Sequence, residues 1–210
     1  MSTNDDLQKQ ITHLCDMQAI ANLQGRFLYC IQAHDDETIV ELFAKNDAEV
    51  SVEIAESGVY VGSAKVRAFF TELIGPFFNS PGVLPIHMLT TPVIDIAECG
   101  TVAYGMWQTL GCNTFEVDND LTAVWQQGKY DNVFVKENGQ WRIKQLCWLC
   151  NFRTPFDKGW VKQPMVNVEP LDFTQFPESI HPSHPGEPYD VYDPKTLMDF
   201  GPLPKSIRKN

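Results

Sequence analysis

The chain has 210 residues, 43% of them hydrophobic and 11% aromatic, and a formal net charge of −11. That suits one domain able to bury a sizeable core, with an appendage. The basic residues form no cluster, which argues against nucleic-acid or anionic-membrane partners, and no apolar run approaches the roughly 18 residues of a membrane-spanning helix.

The opening segment MSTNDDLQKQ is polar and acidic, unlike a signal peptide, so a cytoplasmic location is expected. From Asp5 to about Gln32, Leu7, Ile11, Leu14, Ala21, Leu28 and Ile31 recur at three- and four-residue steps, which predicts a helix. Gly25 weakens its middle, and a bend or close packing there would account for it. Ala33 to Thr38 reads as a break and a fresh helix start. Either Asp35 or Asp36 can cap the short helix Thr38 to Ala44.

Glu49 to Ala55 and Val59 to Val61 alternate as two strands around the turn Ser57-Gly58. A helix from Ala64 to Ile74 carries Val66, Phe69, Phe70 and Leu73 on its apolar side, and Gly75-Pro76 is expected to stop it. A strand of about ten residues follows, Ile86 to Ala97, then strands Val102 to Cys112 and Leu121 to Lys136. Glu137-Asn138-Gly139-Gln140 joins the last of these to a run continuing to Arg153. Asn-Gly between β-rich runs is the strongest short hairpin signal, because both residues tolerate positive φ. Helices first and long antiparallel strands last make the α+β class.

Ten of the fourteen prolines lie between Pro155 and the end, in a stretch without helical or alternating period. Residues 1–155 therefore read as the folded domain and 156–210 as an extended Pro-rich tail. Its aromatics, Phe156, Trp160, Phe173, Phe176, Tyr189 and Tyr192, favour an ordered wrap over this domain or a neighbouring subunit.

The six cysteines have no repeating spacing. Cys147 and Cys150, three apart on a strand, point to opposite faces and cannot pinch a metal. His181 and His184 in HPSHP lack further ligands. Reduced thiols, no metal and no cofactor are the expectation.

A curved antiparallel sheet with helices across its open side makes a cone with a blind apolar cavity, where a few polar side chains govern any reaction. The candidates are Asp35 at the helix junction, His87 near the start of the first long strand, and Tyr130 on one face of a later strand. His34, Gln108, Asn132, Trp148 and Asn151 are possible pocket liners. Arg153, at a strand end, suits a surface or tail contact more than a substrate anion.

The helix pair ending in AHDDETIVELFA, then GVYVG, AKVRAFF, PIHML, GKYDNVFV and NGQWRI, follow in the order of SnoaL-like members of the nuclear transport factor 2 (NTF2) superfamily. The resemblance covers roughly residues 5–155 and implies the α+β cone. Among the superfamily's enzymes the chain is most similar to scytalone dehydratase and bile-acid 7α-dehydratase. By that resemblance Asp35 and His87 fall on a hydrogen-bonded acid–base pair, His34 on a pocket tyrosine and Tyr130 near a pocket asparagine. A second catalytic histidine has no counterpart, and Cys112 is the nearest position. The implied activity is a cofactor-independent lyase acting on a small hydrophobic, hydroxylated and aromatic substrate, by dehydration or by retro-aldol cleavage releasing formaldehyde. The alternatives are a ketosteroid-type isomerase and a non-catalytic binding or assembly subunit. An open sheet face needs covering, so a homo-oligomer, dimer or trimer, is expected.

Overall fold

The computed structural model describes residues 4–117, 120–166, 173–186 and 189–200. Helix α1 (Asn4–Ala33) runs unbroken through Gly25, where a side chain would meet open space rather than close packing. Only the second half of α1 has a buried face, formed by Ile20, Leu23, Gln24, Phe27 and Leu28. His34 then takes φ +56°, a left-handed residue that ends the helix, with the Asp35 N–H donating to the Cys30 carbonyl at 3.0 Å. Helix α2 (Asp36–Glu41) starts at once.

Strands β1 (Ser51–Ile54) and β2 (Val59–Val61) pair antiparallel. The next helical segment differs from expectation at its end. Helix α3 (Ser63–Ala68) widens into a π-helical turn, Phe69–Ile74, and continues as α4 (Gly75–Phe78). Pro76 does not stop it, because it sits in the first turn of α4, where a proline N–H is not needed.

The expected ten-residue strand is also two. β3 (Leu84–Leu89) and β4 (Val93–Ile96) both pair with β5 (Val102–Val117), β3 along residues 109–114 and β4 along 103–106. Between them Pro92 has no N–H to give a ladder, and Thr90 folds its N–H and hydroxyl onto the Gln108 carbonyl, both at 3.0 Å. β6 (Asp120–Glu137) and β7 (Gln140–Pro155) form the long hairpin, with Asn138 at φ +49° and Gly139 at φ +79° in its turn. The sheet order is β2-β1-β7-β6-β5-β3, and β1 lies parallel to β7. Two register shifts against β7, at Gln127/Gly128 and at Val133/Phe134, break the regular ladder of β6. Such bulges increase local twist and bend, as a sheet closing on helices requires.

The helices pack on one face of this sheet. Phe27 meets Phe70 and Tyr130 edge-on at 5.9 and 6.2 Å, and Phe69 and Phe70 continue the cluster toward Tyr60 and Phe43. Beyond Pro155 the described segments lie on this domain. Met165 bridges Arg153 in parallel, His184 extends the edge at Val59, and the Tyr192 N–H donates to the Asn151 carbonyl at 2.7 Å. Trp160 stacks on Phe152 and Phe156 on Trp125.

Candidate functional site

Pairing register fixes which side chains face the helices. Along β5 these are Ala103, Trp107, Thr109 and Asn113; along β6, Val124, Gln126, Tyr130, Asn132 and Phe134; along β7, Trp148, Cys150 and, after the bulge, Arg153. His87, opposite Gly111, brings β3 onto the same face. Gly128 makes room for an aromatic wall. A side chain there would lie 2.2 Å from the Leu149 carbonyl and 2.8 Å from the Trp148 indole. Trp148 is pinned by its own Nε1–H, which donates to the Thr109 hydroxyl at 3.0 Å, while that hydroxyl donates to the Gly128 carbonyl.

His87 lies half-buried against this wall, its ring 5.1 Å from Trp148. The Gln126 amide nitrogen donates to Nε2, and the Asn113 Nδ2 approaches the same atom at 3.4 Å. Two donors on one lone pair favour the tautomer with its proton on Nδ1. Burial, and then the positive charge of Arg153, push the imidazole down to about 4, so it is neutral at pH 7. A chain of contacts leads outward from it. Arg153 Nε donates to Gln126 Oε1 at 3.4 Å, and Nη1 holds Glu56 Oε1 at 2.7 Å. Arg153 is buried and Glu56 is exposed, so a cation stands beneath the surface with its counter-ion in solvent. Its guanidinium also covers the Phe115 ring at 5.2 Å. Tyr130 is 2% exposed, and burial raises its phenol well above the ordinary range, so it stays a neutral hydroxyl.

A family model described as a SnoaL-like domain matches residues 12–146, most of the chain and all of the sheet up to the middle of β7. The chain belongs to the SnoaL-like domain family. Solved structures agree on the fold. A provisionally named scytalone dehydratase from Novosphingobium aromaticivorans is 22% identical over 70% of this chain and 91% of its own, with a TM-score of 0.58. The hexachlorocyclohexane dehydrochlorinase LinA-type3 of Novosphingobium barchaimii is 14% identical over 77% and 99%, with a TM-score of 0.59. An NTF2-like protein with a cystatin-like fold, also from N. aromaticivorans, is 14% identical over 71% and 91%, with a TM-score of 0.54. No curated protein matched by sequence. Identities this low establish the NTF2-like fold and nothing finer.

Within this SnoaL-like cone the expected residues divide. His87, Tyr130 and Trp148 are brought together, Tyr130 standing 6.5 Å from Trp148 ring to ring. Asn132 also faces in, but both ends of its amide are used. It donates to Gln24 at 2.8 Å and accepts the Cys147 N–H at 2.9 Å, tying α1 through β6 to β7. The Asp35–His87 pair is not formed. Asp35 is exposed and caps α2 by accepting the Thr38 N–H at 3.1 Å; that hydrogen bond holds its carboxyl below the usual range. Among the described residues, none of His87's contacts is a carboxylate. His34 is exposed beside it as the helix-ending residue.

Gln108 and Cys112 sit on the outer face of β5, since Thr109 and Asn113 hold the inward positions; Gln108 accepts from Gln127 instead. Asn151 is the extra residue of the bulge and is spent on Gln127 and Tyr192. Cys147 and Cys150 do face apart, toward Glu53 and toward the interior respectively, and burial raises the Cys150 thiol to about 12. Among the described residues, no group of three or more His, Cys, Asp or Glu side chains could hold a metal. The residues not anticipated are Asn113 and Gln126; the Arg153 backbone meets the tail at Pro164 and Val166, as one of its two expected contacts, while its side chain turns inward. Extending the alternation from Trp107 through Thr109 points to Asn113, and extending it back from Asn132 and Tyr130 points to Gln126; only Arg153 needed the bulge.

Proposed function

We propose that this SnoaL-like chain is a cofactor-independent lyase, with His87 as the group that moves a proton on a small, mostly hydrophobic, hydroxylated aromatic substrate. The observation carrying this reading is the His87 imidazole packed on the Trp148 wall, held by Gln126, with the buried Arg153 guanidinium two contacts away. In a dehydration, the substrate displaces the amide donors from His87 Nε2 and that nitrogen takes the proton from carbon; the C–H electron pair becomes the new double bond, and the departing hydroxyl takes the proton back from the imidazolium and leaves as water. In a retro-aldol cleavage, the proton comes from the substrate hydroxyl, the C–C bond breaks, formaldehyde departs, and the carbanion is reprotonated. Either way an imidazolium forms where burial and Arg153 both oppose it. It is therefore a strong acid that returns its proton at once. Tyr130 and Arg153 supply hydrogen-bond donation and positive charge for an oxyanion that develops in a low-dielectric site. Asp35 has no part in this mechanism, and the aspartate base that a ketosteroid-type isomerase would need is not supplied by it.

A second reading, a non-catalytic binding or assembly subunit, is favoured by that same placement of Asp35, because no carboxylate among the described residues raises the basicity of His87. Turnover decides between them. A panel of β-hydroxylated aromatics and sterols, with product mass read out, should show loss of the mass of water or of formaldehyde. His87→Gln should abolish it with the fold intact. A substrate turned over equally by that variant would remove His87 from the chemistry. We further propose that the outer sheet face, where Leu84, Met88 and Leu110 are exposed, is covered by a second or third copy of the chain. A monomer by light scattering would refute that.

A further inference from the structure

We propose that Asn113 is a specificity-determining residue that accepts a hydrogen bond from a hydroxyl of the bound molecule; this rests on the reading of the cone as a small-molecule site. Asn113 projects from the inner face of β5 and is only 5% exposed. Its Nδ2 is directed at His87 Nε2. Its Oδ1 is buried and has no hydrogen-bond partner among the described residues. A buried amide oxygen left unmatched is costly, so a side chain held this way is an acceptor awaiting a donor. The neighbouring groups define what that donor can be. Arg153 and the Gln126 amide present positive charge and N–H groups to the same recess, so a cationic ammonium is repelled. Trp148 and Gly128 provide an aromatic wall rather than a polar one. A neutral hydroxyl on a flat apolar body satisfies all three. It gives its proton to Asn113 Oδ1, lays its ring toward Trp148, and turns its oxygen lone pairs to the donors. The His87 contact follows from the same geometry: by occupying Nε2 with its amide nitrogen, Asn113 sets the orientation of its own oxygen.

The alternative occupant of such an acceptor is water, and an apolar ligand would then show no dependence on Asn113. Equilibrium binding separates the two without any turnover. The probes are 2-naphthol and naphthalene, followed by quenching of tryptophan fluorescence. A greasy recess with nothing to match the hydroxyl would prefer naphthalene. With Asn113 accepting, 2-naphthol should bind about tenfold tighter, the worth of one neutral hydrogen bond. Asn113→Leu should erase that preference while keeping the affinity for naphthalene, and Asn113→Asp, which retains an acceptor, should keep the preference. Should Asn113→Leu fail to fold by circular dichroism, the Asn113→Asp and wild-type pair still decides, since loss of preference in Asn113→Asp overturns the proposal. Equal affinities for both probes in the wild-type chain overturn it also, and leave the cone as a binding site. Binding of neither probe overturns the small-molecule reading and this proposal with it.

Discussion

His87 gives the most quantitative expectation, because its environment couples the proposed centre to folding. The ordinary imidazole value is 6.5 and the folded one about 4. Between those values the unfolded chain holds a proton that the folded chain does not, so stability falls as the pH is lowered through that window. It is untouched above about pH 7 and levels off once both states are protonated. The full shift corresponds to about 3 kcal/mol, of which about 2 kcal/mol is already lost at pH 5. Other groups titrate near pH 4, so the measurement is a double difference. Urea midpoints are taken for the wild-type chain and for His87→Gln, at pH 7.5 and pH 5. The wild-type chain should lose about 2 kcal/mol more than the variant over that step. Proton NMR of the imidazole should place its midpoint well below that of a solvated histidine. An acid loss that is the same in both chains, or a midpoint near 6.5, would show that His87 is neither desolvated nor opposed by Arg153, and the proposed proton-transfer chemistry would lose its basis.

Asp35→Ala should lower the melting temperature slightly, through the lost cap on α2, and leave turnover and the His87 titration unchanged; a large loss of activity would restore Asp35 to the site. Gly128→Ala should cost about 1–3 kcal/mol by pressing on the Leu149 carbonyl and the Trp148 indole, a thermal melt being the check. A chain cut after Lys158 should be less stable and more prone to self-association, since Phe152 and the Arg153 backbone lose Trp160, Pro164 and Val166. Unchanged melting and a monodisperse profile would show that the tail contributes nothing to the domain. For Asp16, burial works against ionisation, but hydrogen bonds from Lys136 and Trp141 prevail and hold the carboxyl below its usual value. Its share of stability is therefore present at neutral pH and lost on acidification, and Asp16→Asn should flatten the acid limb of the stability curve.

Local chemistry made several elements readable in the sequence. Asn138-Gly139 announced the hairpin because few residues tolerate positive φ, and the three- and four-residue steps announced α1 but not its buried face: of the positions they named Leu28 is buried, while Leu7, Ile11 and Leu14 are exposed. What local chemistry could not supply was parity. Each bulge of β6 against β7 shifts the count by one, and a shift of one exchanges the faces of a strand. For that reason Asn151 was anticipated in the cone and Arg153 at the surface or the tail, when the bulge turns the Arg153 side chain inward, leaves its backbone on the tail, and buries Asn151 against Gln127 instead. Cys112 was chosen by analogy over Asn113, although alternation from Trp107 favours Asn113. Asp35 failed differently. An aspartate before a short helix satisfies the backbone whatever else it does, and here that use is the one the structure shows. Pro76 and Pro92 form an instructive pair. One begins a helical turn and the other separates two strands, and only the neighbouring hydrogen-bond donors distinguish them.

The attachment of residues 164–166 to Arg153 bears on the order in which the molecule is completed. The hairpin arm that carries this arginine is synthesised first, and its main chain waits for Pro164 and Val166 to emerge. Domains tend to consolidate from the N-terminal side as they are made. A chain ending near Pro155 would thus carry the aromatic wall but not the main-chain clasp behind its buried cation.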